Sequence, residues 1–218
     1  MKRDPVIAAL AALAAGLAHW FAARALQAAL AWALGTPVMP LNAGIEEGLR
    51  LAVVVLGYAS SARLGLDGRS GYAWALLASW AFGSMENMSY LLAYPSWDLF
   101  WRLGYSLPVH VNAGMLYALA LAPRRVAGSA GPGGVASPAA GPALSAGGSR
   151  ALRAAPAVLA LGAGWAWHTA FNAAAGLGQA WVPAAGSALN TIVFLALLAL
   201  AERRLILEGV FHGYDRTR

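Results

Sequence analysis

One segment of this chain combines charge with an apolar run of membrane-spanning length: Asn42-Ala43-Gly44-Ile45-Glu46-Glu47-Gly48-Leu49-Arg50. Two adjacent carboxylates and an arginine stand within residues 37–62, which are otherwise almost wholly apolar. A surface helix would instead spread its charges along one face. Because an ionisable group in a lipid-embedded helix is costly unless it is paired or solvated, this cluster indicates a functional site.

The composition around that segment is typical of an integral membrane protein. Of 218 residues, 60% are hydrophobic and 11% are charged, whereas soluble domains carry about 25% charged residues. The lack of cysteine excludes disulfides and thiolate chemistry. The net charge of +6 is better explained by basic loops on one membrane face than by nucleic acid. We therefore expect membrane lipid, and no nucleic acid, as a partner.

Apolar periodicity predicts an all-α, polytopic bundle of six transmembrane helices that forms one domain over residues 1–218. The first helix is longer than the apolar core of a signal peptide, which has about 7–15 residues, and we expect it to stay uncleaved. Residues 126–149 are rich in Gly, Ala, Ser and Pro and predict a flexible linker. The charged stretch 202–218 is expected to be a tail. The six predicted helices cover residues 6–34, 37–62, 71–94, 103–122, 154–178 and 184–200.

The distribution of basic residues predicts the orientation of this bundle. With six spans, twelve of the fifteen lysines and arginines fall on the side of the two termini, and only Arg102 falls on the other. Arg24 and Arg50 lie within helices. The positive-inside rule therefore predicts a multi-pass protein of the cell membrane with both termini and the linker in the cytoplasm.

Polar residues of four predicted helices fall at one depth. At 1.5 Å per residue they lie roughly 10 to 15 Å below the outer surface, so we expect one shared site. Glu46 and Arg50 are four residues apart and are expected to pair, which would leave Glu47 as the freer carboxylate. His19 and Arg24, in the first helix, are expected to pair between helices or to snorkel. The set comprises Glu46, Glu47, Arg50, Glu86, Asn87, His110, Asn112, His168 and Asn172.

These residue types suit the activation of water. A carboxylate in a low-dielectric site can act as a general base near neutrality, and a histidine can share the water. The His168/Asn172 pair could donate to the oxyanion of an attacked amide. Alternatively, Glu86, His110 and His168 could bind Zn²⁺ with an open position for water. The residues alone leave both chemistries open.

Four motifs in this order resemble the PrsW family of intramembrane proteases, relatives of the type II CAAX prenyl endopeptidases and the Abi proteins. They are Glu46-Glu47-x-x-Arg50, Phe82-x-x-x-Glu86-Asn87, His110 and His168-x-x-x-Asn172, and the resemblance covers residues 41–178. The resemblance implies that Glu46 and Glu47 supply the general base, with Glu86 and His110 completing the water site. It places His168 and Asn172 on the oxyanion side. Independently of the resemblance, we expect Arg50, Asn87 and Asn112 to be supporting residues.

The resemblance implies a prokaryotic protease that cuts a single-span membrane protein, such as an anti-sigma factor, near the extracytoplasmic side. A glutamic mechanism without a cofactor is favoured over one that uses Zn²⁺. Two other functions stay open: a non-catalytic membrane scaffold of the same superfamily, and an ion-coupled transporter that uses the carboxylates as a relay. No internal repeat of the transporter kind is visible in the sequence.

Overall fold

The chain forms a bundle of helices. A computed structural model describes residues 5–63, 68–93, 106–122, 150–175 and 181–213, and within these ranges there are six helices and no strand. The all-α prediction is therefore confirmed for the described residues. The helices are α1 (Pro5–Leu34), α2 (Met39–Arg63), α3 (Gly68–Ala93), α4 (Leu107–Leu121), α5 (Arg150–Ala175) and α6 (Trp181–Gly213).

The largest difference from the predicted boundaries concerns α6. The stretch 202–213 was expected to belong to a charged tail, but α6 continues through it to Gly213. Charged residues such as Glu202 and Arg203 are good helix formers, so they need not end a helix where it ceases to be apolar. Pro183, expected to lie between two helices, falls in the first turn of α6, where proline removes no intrahelical bond. The predicted linker, residues 126–149, lies outside the described residues.

Helix α4 occupies the centre of the bundle. Ten of its fifteen residues are buried, and it packs against α3, α5, α6 and α2. Its C-terminal end is closed by Arg204 of α6, whose Nη1 donates to the Leu119 carbonyl at 2.7 Å. A basic side chain there satisfies a carbonyl that has no partner within its own helix. Every other helix except α1 is thereby arranged around α4.

Small residues allow the helices to approach closely. Alanines dominate the buried hydrophobic residues, and α1 meets α3 where Gly16 lies against the backbone of Ala78. A Cβ at Gly16 would overlap the Ala78 carbonyl oxygen. Small residues at helix contacts are characteristic of packing in membranes, where close van der Waals contact replaces the hydrophobic effect.

The bundle has its polar side chains inside and many large apolar ones outside. Buried polar residues include Glu47, Arg50 and His168, whereas Trp32 and Leu92 are 87% and 76% exposed. Within the described residues, two stretches are long and apolar enough to cross a membrane: Pro5–Leu34 and Ala184–Arg204. Helix α2 is less apolar than these two stretches because it carries Glu46, Glu47 and Arg50. A membrane protein is the class that this distribution favours.

Because of the close contact at Gly16, we expect alanine to lower the melting temperature at this position but not at Gly162. Gly16→Ala should lower the melting temperature in detergent, because its Cβ meets backbone that cannot move aside. Gly162→Ala in α5 is the matched control, since nothing lies within 4 Å of the added carbon and alanine favours a helix by about 1 kcal/mol. A Gly16→Ala protein that melts at or above the wild-type temperature would contradict the α1–α3 packing.

Candidate active site

Glu47 is the anchor of the polar interior. It is 0% exposed, and its Oε1 accepts from Arg50 Nη1 and, at 2.8 Å, from His168 Nδ1. Its Oε2 accepts from the Tyr117 hydroxyl at 2.6 Å. Helix α5 can come this close because Gly164 has no Cβ. A Cβ at this position would overlap the Tyr117 hydroxyl. Glu47 therefore joins α2, α4 and α5 with both oxygens occupied.

His110 lies between the guanidinium of Arg50 and the carboxylate of Glu86. Arg50 Nη2 is 2.8 Å from His110 Nδ1, and His110 Nε2 is 2.5 Å from Glu86 Oε2. A guanidinium can only donate, so Nδ1 must accept, and the proton of the neutral ring is on Nε2, facing Glu86. The ring of Phe82 packs edge-on to His110 at 5.1 Å and lies under Arg50. His110 is thus held in one tautomer.

Glu46 is held differently from Glu47. Its Oε1 accepts from Gln27 Nε2 at 2.6 Å, and its backbone carbonyl accepts from His19 Nε2 at 3.0 Å. Its Oε2 is buried and accepts no hydrogen bond within the described part of the chain. This oxygen lies 3.5 Å from His168 Nε2. One oxygen of the Glu46 carboxylate is therefore held in place, and the other faces His168.

When His168 is neutral, two hydrogen-bond acceptors face each other across this gap. His168 donates through Nδ1 to Glu47, which as the ion-pair partner of Arg50 is an acceptor only. A neutral His168 then carries its lone pair on Nε2, opposite Glu46 Oε2 at 3.5 Å. One water molecule can donate to both atoms at this separation. The arrangement is suited to holding and deprotonating a single water.

The expected pairing of Arg50 with Glu46 is wrong. Arg50 pairs with Glu47, three residues before it, and Glu47, expected to be the freer carboxylate, has no free oxygen. The spacing allowed both partners, since three and four residues both share a helix face. Contacts from α4 and α5 decided between them, because Tyr117 and His168 both bind Glu47. Glu46 is the less constrained of the two.

The predicted residues divide into a central group and outlying ones. Glu46, Glu47, Arg50, Glu86, His110 and His168 are brought together, with the two histidine rings 5.1 Å apart. Asn112 instead donates to the Asn190 carbonyl at 3.0 Å and joins α4 to α6. Asn87 is buried beside Glu86. The half-buried Asn172 lies one turn beyond His168 on α5.

Three residues of this network were not predicted to belong to the site: His19 and Gln27 of α1, and Tyr117 of α4. A signal existed for each. Gly16, His19, Ala23 and Gln27 recur at intervals of three or four residues and form the buried stripe of α1. Tyr117 follows His110 by seven residues, two helical turns on the same face. His19 and Arg24 do pair between helices, as expected.

Three side chains are close enough to bind one metal ion, but the carboxylate among them is not the predicted one. The nearest ligand atoms of Glu46, His110 and His168 lie within 4.8 Å of one another, whereas Glu86 was the predicted carboxylate. Two histidines and one carboxylate are a usual catalytic zinc set, and the Glu47–His168 contact has the form of its outer shell. His110 fits less well, since its two nitrogens face Arg50 and Glu86. To bind zinc, His110 would have to give up its contact with one of these two residues.

The unequal burial of the two adjacent glutamates predicts unequal effects on stability. Glu47→Gln should lower the melting temperature far more than Glu46→Gln, because it leaves the Arg50 guanidinium, 1% exposed, without its counter-ion. Loss of one partner of a buried pair costs about 3–5 kcal/mol. The two variants are matched controls for each other. Equal melting temperatures, or a larger fall in Glu46→Gln, would contradict the assignment of Glu47 as the anchor.

No protein-family model, curated protein or solved structure matches the chain. The assignment of function therefore depends on the chemistry of these side chains.

Proposed function

We propose that the chain is a membrane enzyme of six spans, with both termini on the cytoplasmic side. Two observations support this topology: the twelve-to-one separation of basic residues in the sequence, and the exposure of large apolar side chains around a polar interior. In this orientation the glutamates and histidines lie in the outer half of the membrane. A substrate would reach them from the lipid or from the extracytoplasmic face.

We further propose that the enzyme is an intramembrane endopeptidase acting on a membrane-anchored protein, such as a single-span or anti-sigma-factor-like substrate. The observation that carries this proposal is the 3.5 Å separation of Glu46 Oε2 and His168 Nε2 in a buried site, where both atoms are acceptors when His168 is neutral. Burying an acceptor without a donor is costly, and a nucleophilic water satisfies both. The resemblance to PrsW proteases supports the same reaction class.

In the proposed reaction Glu46 is the general base. It takes one proton from the water while the water oxygen attacks the carbonyl carbon of the scissile peptide bond. When the tetrahedral intermediate collapses, the C–N bond breaks, and the proton passes from Glu46 to the leaving nitrogen. His168 holds the water through Nε2. Since its Nδ1 proton is used by Glu47, donation to the oxyanion falls to Asn172 rather than to both residues.

Zinc-dependent hydrolysis is the second candidate mechanism, and it is favoured by the group of Glu46, His110 and His168. There the metal would supply Lewis acidity and an activated water. Zinc binding by His110 would break its contact with Arg50 or with Glu86. The metal-free mechanism uses the contacts as they stand, and we favour it.

Cleavage of a co-reconstituted library of single-span proteins tests the proposed activity. Glu46→Gln should reduce cleavage by about 100-fold or more, the scale of losing a general base, with little change in melting temperature. Tyr58→Phe is the control, because it removes an interhelical bond to the Ala118 carbonyl on a part of α2 three turns away from Glu46. Products should map near the extracytoplasmic end of the substrate helix. Undiminished cleavage by the Glu46→Gln protein would refute the mechanism.

Chelation separates the two mechanisms. Incubation with a zinc chelator should leave cleavage unchanged, because Glu46 alone accepts the proton. Elemental analysis of the purified protein checks that the chelated sample contains no zinc. Activity that is lost on chelation and returns with Zn²⁺ would instead assign the metal to Glu46, His110 and His168.

A further inference from the structure

Helix α1 reaches the reacting carboxylate through Gln27. The side chain of Gln27 is 7% exposed, and its Nε2 donates to Glu46 Oε1 at 2.6 Å. The same nitrogen is 3.3 Å from the Asn42 carbonyl, one turn before Glu46. None of the motifs in α2 to α5 requires a residue from α1. Gln27 is nevertheless the side chain that binds the carboxylate of Glu46 directly.

The orientation of the Gln27 amide is determined by Arg24. Arg24 Nη1 donates to Gln27 Oε1 at 3.4 Å, and a guanidinium has no acceptor. The amide oxygen must therefore face Arg24, and the amide nitrogen must face Glu46. Arg24 is itself held by Ser89 Oγ at 3.1 Å, and Ser89 donates to the Glu86 carbonyl at 2.7 Å. A polar chain thus runs from α3 through α1 to Glu46.

This series of hydrogen bonds determines which oxygen of Glu46 is available. With Oε1 bound by Gln27, only Oε2 is left to face His168 Nε2 at 3.5 Å. A carboxylate that can rotate about its last bond would distribute its lone pairs over several directions. A proton acceptor in a catalytic site must instead be held within a few tenths of an ångström of its productive position.

We propose that Gln27 is a positioning residue for Glu46, oriented by Arg24, so that α1 is part of the active site. This inference rests on the proposed function, in which Glu46 is the general base. It goes beyond that function because it assigns a role in the reaction to a helix outside the four motifs. Gln27 acts through Glu46 and does not touch the substrate.

A purely structural role is the competing explanation, since Gln27 also joins α1 to α2 through the Asn42 carbonyl. The two roles differ in what they change. A structural staple affects the melting temperature and the amount of folded protein. A positioning residue lowers kcat of the folded protein at an unchanged KM, and its smaller effect on the melting temperature arises through its contact with Glu46.

The test uses Gln27→Met, which keeps the length of the side chain but lacks the donor, on a substrate that the wild-type protein selects from the single-span library. We expect kcat to fall about 10- to 100-fold, the range for losing a hydrogen bond to a charged group, at unchanged KM. Arg24→Met should lower kcat less. The double variant should be no worse than Gln27→Met alone, because Arg24 acts through Gln27. Tyr58→Phe is again the control.

A double-mutant cycle gives a readout that does not depend on proteolysis. Melting temperatures are compared for wild type, Gln27→Met, Glu46→Ala and the double variant. The cost of Gln27→Met should largely disappear in the Glu46→Ala background. If the wild type cleaves nothing but the cycle is non-additive, the proposed function fails and the assignment of Gln27 to Glu46 stands. Additive melting temperatures, or an unchanged kcat in Gln27→Met, would overturn the inference.

Discussion

The interior of this protein depends on the ion pair between Glu47 and Arg50. Both side chains are essentially inaccessible, at 0% and 1% exposed, and a charge in such surroundings is tolerated only when it is paired and hydrogen-bonded. Those requirements bring Tyr117 from α4 and His168 from α5 to Glu47, and His110 to Arg50. The pair therefore determines where three further helical side chains lie.

A division of labour between adjacent glutamates follows from that constraint. Successive residues of a helix point about 100° apart, so Glu46 and Glu47 cannot share one environment. Glu47 faces the centre of the bundle and is fully satisfied. Glu46 faces α1 and the gap beside His168, where one oxygen is held and the other is available. A rigid anchor next to a less constrained carboxylate suits a site in which one group is positioned and its neighbour reacts.

Helix α1 has a larger part in this arrangement than its composition suggests. It is mostly alanine and leucine, yet His19 and Gln27 reach Glu46, and His19 stacks on Phe82 at 4.1 Å between the ring centroids. Gly16, one turn before His19, lets α1 lie close to α3. The same stripe of residues thus provides both close packing and polar contacts, because all of its members fall on one face of the helix.

The sequence alone determined the helical class, the number of described helices and the identity of the polar groups at the centre, because hydropathy and helical periodicity are local properties. Gln27 and Tyr117 were missed although both belong to periodic stripes, because periodicity does not reveal what a stripe faces. Only the tertiary structure decided that Arg50 binds Glu47 and that Asn112 joins α6. The physical reason is that a side chain in a helix reaches several partners of equal sequence separation, and the choice among them is made by neighbouring helices distant in the chain.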